Sequence, residues 1–315
     1  MTGESRGRRS GRTSPPPLSR AAAPGSVSGP LPSVLERSIA DRQLIAGAIT
    51  VIFVARLVDG PASWLVAGVL GLGVLIGVCW NRPAADAAPE ASARVSSFRL
   101  QWEAVAGGAS GMESGIVPAV LAAALALSLR LVPFDWRFVA TLAGALVLLD
   151  RSIRFERSFA RSTDDSGERW QVVLMALATA FLGFAGVAAM VRGGVADAGG
   201  PTLAEQDLLL LAGGDAVVGL LLGFRLARLG PAARREALVS GVGFGALVAI
   251  GSGLLRAMAI PALLGPALLT LLVYLWDALN ATTPSIRRDP RWRWQVGLLL
   301  LLSAVVITWN LRLRA

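Results

Sequence analysis

The chain has 315 residues, 54% of them hydrophobic and 16% charged, with mean hydropathy +0.60 and a net charge of +9, which is too apolar for an ordinary soluble domain. The positive charge is carried by 30 arginines and no lysine, and the chain has no histidine and a single cysteine, Cys79. This excludes imidazole ligands for haem or zinc, a Ser–His–Asp triad, a lysine Schiff base, an internal disulfide and a CxxC pair.

Residues 1–42 open the chain as a basic segment rich in Arg, Ser, Pro and Gly, including Arg6-Gly7-Arg8-Arg9 and Pro15-Pro16-Pro17. Such a composition cannot bury a core and is expected to be disordered and cytoplasmic. No apolar stretch follows a short basic start, so it does not read as a secretory signal peptide.

From there to residue 315 the chain is membrane-like. Nine apolar stretches, at 44–58, 63–80, 115–132, 134–150, 171–191, 207–224, 237–259, 262–280 and 294–311, approach the length needed to cross a bilayer. Lipid offers the backbone no hydrogen bonds, and runs such as Leu298–Leu302 lack the alternation of barrel strands, so these stretches read as helices. The expected fold is an all-α polytopic transmembrane bundle of four hairpins plus a ninth helix, with eight helices as the alternative. Cys79, at the end of one stretch, reads as a small packing residue.

Arginines assign the sides. With a cytoplasmic N-terminus, 23 of the 30 lie in the inner segments, a strong positive-inside asymmetry. Trp64, Trp136 and Trp309 then fall near outer boundaries, and Trp80, Trp170, Trp276, Trp292 and Trp294 near inner ones. The expected location is the plasma membrane of a bacterium, the expected surroundings include anionic lipids, and the charge implies no nucleic-acid partner. Within the inner connection 81–114, Val95, Phe98, Trp102 and Val105 share one helical face, as in a short interfacial helix.

The first helix of each hairpin ends in an arginine, Arg56, Arg130, Arg192 or Arg256, with Pro61, Pro133, Pro201 or Pro261 close behind. The pattern suggests a duplicated hairpin. Functionally it reads as a ring of guanidinium groups for anionic headgroups or an anionic substrate. As plain membrane chemistry it reads as snorkelling arginines at helix ends, the favoured alternative.

Asp215 is the charge that demands a reason. A carboxylate at bilayer depth costs several kcal/mol or takes its neutral form. Asp215, Gly219 and Gly223 recur every four residues, and Gly241, Gly245, Ala249 and Gly253 repeat that spacing on the next helix. Two such stripes predict a close helix crossing. It would enclose Asp215 near Ser252 or Thr179, with Arg256 more distant. Asp277, near the end of its stretch, is expected to reach water.

Asp215 reads equally as a coupling or substrate-binding carboxylate and as a structural one. As half of an aspartyl protease dyad it fares poorly: Gly213-Gly214-Asp215 departs from the Gly-x-Gly-Asp pattern of intramembrane proteases at Ala212, and the only upstream partner, Asp150, lies at a helix end. No Walker A sequence, Asp-rich diphosphate motif or hydrolase elbow is present, and no metal or cofactor is expected. The reading is a permease-like protein for a small molecule or lipid. Its rival is a non-catalytic scaffold or subunit of a larger membrane complex with a protein partner; an enzyme, such as an intramembrane aspartyl protease, is remote.

Overall fold

The computed structural model describes residues 31–58, 62–80, 112–160, 165–191, 205–230, 232–258, 260, 263–282 and 289–312. Within them lie nine α-helices and no strand: α1 Leu31–Leu57, α2 Ala62–Trp80, α3 Ile116–Ser128, α4 Trp136–Phe159, α5 Asp165–Met190, α6 Glu205–Arg228, α7 Arg234–Ala257, α8 Leu264–Ala281 and α9 Pro290–Arg312. Each of the nine apolar stretches becomes one helix. Six of them, α2 and α5 to α9, are long and apolar enough to cross a membrane, and α3 is a shorter apolar helix. The chain is a helical transmembrane bundle. Most of the basic N-terminal segment, the expected interfacial helix with Val95, Phe98, Trp102 and Val105, and Arg192 lie outside the described residues.

Local chemistry sets the helix ends. Asp135 precedes α4 and its Oδ1 accepts from the Arg137 amide at 2.8 Å. Asp289 does the same for the Arg291 amide at 2.9 Å, with Pro290 at the first helical position of α9. At the start of α7, Glu236 reaches back to accept from the Ala233 amide. Hydroxyls inside the apolar helices donate to the carbonyl four residues earlier, as Thr50, Thr141, Thr270, Ser303 and Thr308 do. Without water, the helix's own backbone is their nearest acceptor.

Two buried cores share α3. One joins α1 to α4 around Ile52, Val74, Leu121 and Leu149; the other joins α3 and α5 to α8 around Val172, Phe184, Leu222, Phe244 and Val273. The closest packing, that of α6 on α7, α3 on α5 and α2 on α3, lies between successive hairpins rather than within them. The outward faces are apolar: Leu65, Val69, Val239 and Ile250 are all about 70% exposed, as expected of a surface solvated by lipid tails rather than water. α9 stands apart, with none of its apolar window buried.

The structure extends two elements beyond their apolar stretches. α1 starts at Leu31, and α4 continues through the charged residues 150–159 that the sequence suggested were a connection. Ser152, Ile153 and Glu156 in that extension are buried, so these last turns belong to the bundle. Trp276 stacks on Phe244 with ring centroids 5.0 Å apart.

Candidate functional site

The close crossing of α6 and α7 forms as the glycine stripes predict. A Cβ on Gly223 would stand 2.8 Å from the Phe244 ring, and one on Gly219 would stand 2.9 Å from Val248. From the other side, Gly241 and Gly245 lie against the Leu220 and Ala216 carbonyls, where a Cβ would come within 2.9 and 2.8 Å. The stripe stops short of Gly253, whose Cβ position has nothing within 4 Å, and Ala249 is only half-buried.

One turn further along the same antiparallel register, Asp215 meets Ser252. The Ser252 hydroxyl donates to Asp215 Oδ2 at 2.5 Å. Both residues are buried, at 2% and 4% exposure. The other carboxyl oxygen, Oδ1, has no hydrogen-bond partner among the described residues. The Thr179 hydroxyl is fully buried but donates to the Met175 carbonyl at 2.7 Å on its own helix. The structure thus brings Ser252 to Asp215 and commits Thr179 to backbone.

Asp215 and Ser252 line a cavity of about 40 Å³ together with Arg256, Phe184, Leu211 and Pro266. A water molecule needs roughly 10–15 Å³ of such space, so the cavity accepts a few waters and no organic solute. Arg256, half-buried, stands one turn beyond Ser252 toward the end of α7. A carboxyl, a hydroxyl and a guanidinium therefore border one small space whose remaining lining is apolar.

The other two described arginines of the expected ring, Arg56 and Arg130, each reach a backbone carbonyl of the neighbouring hairpin. Arg56 Nη2 donates to the Val132 carbonyl at 3.4 Å, and Arg130 Nη2 donates to the Ala55 carbonyl at 3.2 Å. Both carbonyls lie where a helix ends, and that of Ala55 also accepts from the Val58 amide at 3.4 Å. This crossed arrangement joins the first two hairpins, whose local sequences Arg56-Leu57-Val58 and Arg130-Leu131-Val132 are alike.

At the opposite end of the bundle, four ion pairs tie helices together. They are Arg157 with Asp41, Arg169 with Asp277, Arg225 with Glu156, and Arg228 with Glu113. Asp277, expected to reach water, is 8% exposed and accepts from Arg169 at 2.9 Å. Sequence reading missed Glu113 and Glu156 altogether. The available signal was register: Ala145, Leu149, Ile153 and Glu156 follow one another at helical spacing on the buried face of α4. Asp150, the supposed dyad partner, binds Arg154 on its own helix at 3.0 Å and does not line the Asp215 cavity. Among the described residues, no group of three His, Cys, Asp or Glu converges as a metal site.

A second space is larger and of different character. α2 and α6 face each other across a crevice of about 640 Å³, floored by α3 and α5 and almost wholly apolar. Its walls are low because they carry Gly68 and Gly71 on α2 and Gly213 and Gly214 on α6.

The fold and site together define a polytopic helical membrane protein with a buried carboxyl–hydroxyl pair at its tightest helix crossing. Compared with known protein families, with curated proteins and with solved structures, the chain matches none.

Proposed function

We propose that this protein is permease-like, moving a small molecule or lipid across or within the membrane, with Asp215 as its proton-exchanging group. The supporting observation is the Asp215 carboxyl, satisfied on one oxygen by Ser252 and open on the other toward a cavity that Arg256 also borders. A purely structural carboxyl at this depth is better served by having both oxygens hydrogen-bonded. One oxygen facing a water-sized space suits a proton that must come and go. In this reading the ion-paired end faces the cytoplasm of a bacterial cell, in keeping with its share of the arginines.

The test is Asp215→Asn, which keeps the shape and the hydrogen bond but removes the titration. In sealed vesicles holding a pH-sensitive dye, the wild type should pass protons and Asp215→Asn should not, with unchanged thermal unfolding. Unchanged proton flux, or a bundle that no longer folds, would assign Asp215 to structure.

A second reading has its own observation. α9 has an apolar length sufficient to span yet packs on little of its own bundle. This favours a scaffold or subunit in which α9 meets a protein partner, while arginines at the ion-paired end meet anionic lipid.

A further inference from the structure

The crevice between α2 and α6 is separate from the cavity at Asp215. Its lining is hydrocarbon, small residues and the Trp64 ring, with no charged side chain and no hydroxyl to select a polar solute. It runs from Trp64 to Leu75 on α2 and from Leu209 to Leu221 on α6. At 1.5 Å per residue that is roughly 17 Å, about half of the ~30 Å hydrocarbon core. The length is that of one leaflet.

Width decides between occupants. Trp64 reaches across from α2 until its Cη2 is 3.3 Å from where a Cβ on Gly214 would stand. The indole therefore bridges the two walls. A spanning helix is about 10–12 Å wide with its side chains and needs an unbroken slot, which this bridge denies. A polymethylene chain is far thinner and bends around the ring. The rim residues Leu72 and Val217, each 57% exposed, leave the crevice open sideways to the bilayer.

We propose that this crevice is a binding site for a single phospholipid acyl chain, entering laterally from the bilayer and lying along the glycine-lined walls. The site specifies the ligand by its tail and is indifferent to its headgroup. It deepens the lipid-handling side of the function proposed above, and rests on it only for the step from binding to movement.

The walls supply the test. A Cβ on Gly68 or on Gly213 meets nothing within 4 Å, so a large side chain at either position fills the crevice without displacing the fold. The protein is placed in phosphatidylcholine nanodiscs containing a phosphatidylcholine with a diazirine midway along one acyl chain, irradiated, digested and mapped by mass spectrometry. Labelling at Leu72 and Val217 should exceed that at Val139 and Ile250, which are exposed on open faces, by at least threefold. Gly68→Phe/Gly213→Phe should bring it down to the open-face level with unchanged thermal unfolding. Asp215→Asn should leave it unchanged, so that loss of the transport reading and loss of the lipid site are separate results. Equal labelling of crevice and open faces in the wild type would overturn the proposal. So would crevice residues protected below the open faces in particles holding two copies, which would mean that protein covers them.

Discussion

Glu156 and Arg225 form a two-pronged ion pair deep between α4 and α6. Arg225 Nε donates to Oε1 at 3.1 Å and Nη2 to Oε2 at 2.5 Å, with the residues 1% and 4% exposed. The Phe159 ring lies 5.7 Å from the guanidinium carbon. Removing one partner strands the other charge without water. Glu156→Ala or Arg225→Ala should therefore cost about 3–5 kcal/mol. Replacing both with apolar residues, as in Glu156→Leu/Arg225→Met, should cost far less. Unfolding midpoints in detergent check this, and equal losses for the single and double variants would contradict it.

The crossed arginines at the other end predict a milder effect. Arg56→Gln and Arg130→Gln should each destabilise the bundle by about 0.5–1.5 kcal/mol, through a lost hydrogen bond to a helix-end carbonyl. They tie the same two hairpins, so the double variant should deviate from additivity. Co-purifying anionic lipid, counted by mass spectrometry, should stay as in the wild type. A drop would mean that these two guanidinium groups hold headgroups.

The α6–α7 crossing predicts opposite outcomes for two glycines of one stripe. Gly245→Val drives a side chain into the Ala216 carbonyl and should cost about 1–3 kcal/mol or more. Gly253→Ala enters open space and should stabilise α7 by about 0.5–1 kcal/mol through helix propensity alone. Thermal melts of the two variants decide. Equal effects would mean that the stripe acts as a unit through all its members.

α9 predicts a dispensable helix. Ending the chain after Thr282 should leave the unfolding free energy of the remaining bundle within about 0.5 kcal/mol of the parent, because the missing contacts are few. A reporter enzyme fused after residue 312 should be active on the side opposite one fused after residue 282. Activity of both on one side would leave α9 lying along the surface instead of crossing.

Helices were readable in this sequence because nine apolar stretches have no other solution in lipid. Their lengths were less so. Apolar runs record contact with hydrocarbon, whereas α1 and α4 continue as helices beyond it, where Asp41, Arg157 and Glu156 find partners. The Asp215–Ser252 pair was legible because two glycine stripes fixed which faces of α6 and α7 must meet. Asp277 with Arg169, and Glu113 with Arg228, were not legible. Each joins helices that are distant in sequence, and no spacing rule relates them. The crevice escaped for a similar reason, since an exposed glycine and a packed glycine are the same letter until the neighbouring helix is in place.

The four ion pairs described above all sit at one end of the bundle, while the cavity bordered by Asp215 and Arg256 sits toward the other. Charge thus fastens one end of the bundle, while at the other the Arg56 and Arg130 side chains tie hairpins through backbone carbonyls. In the proton-exchange reading, the Arg256 side of that cavity is where water would reach Asp215.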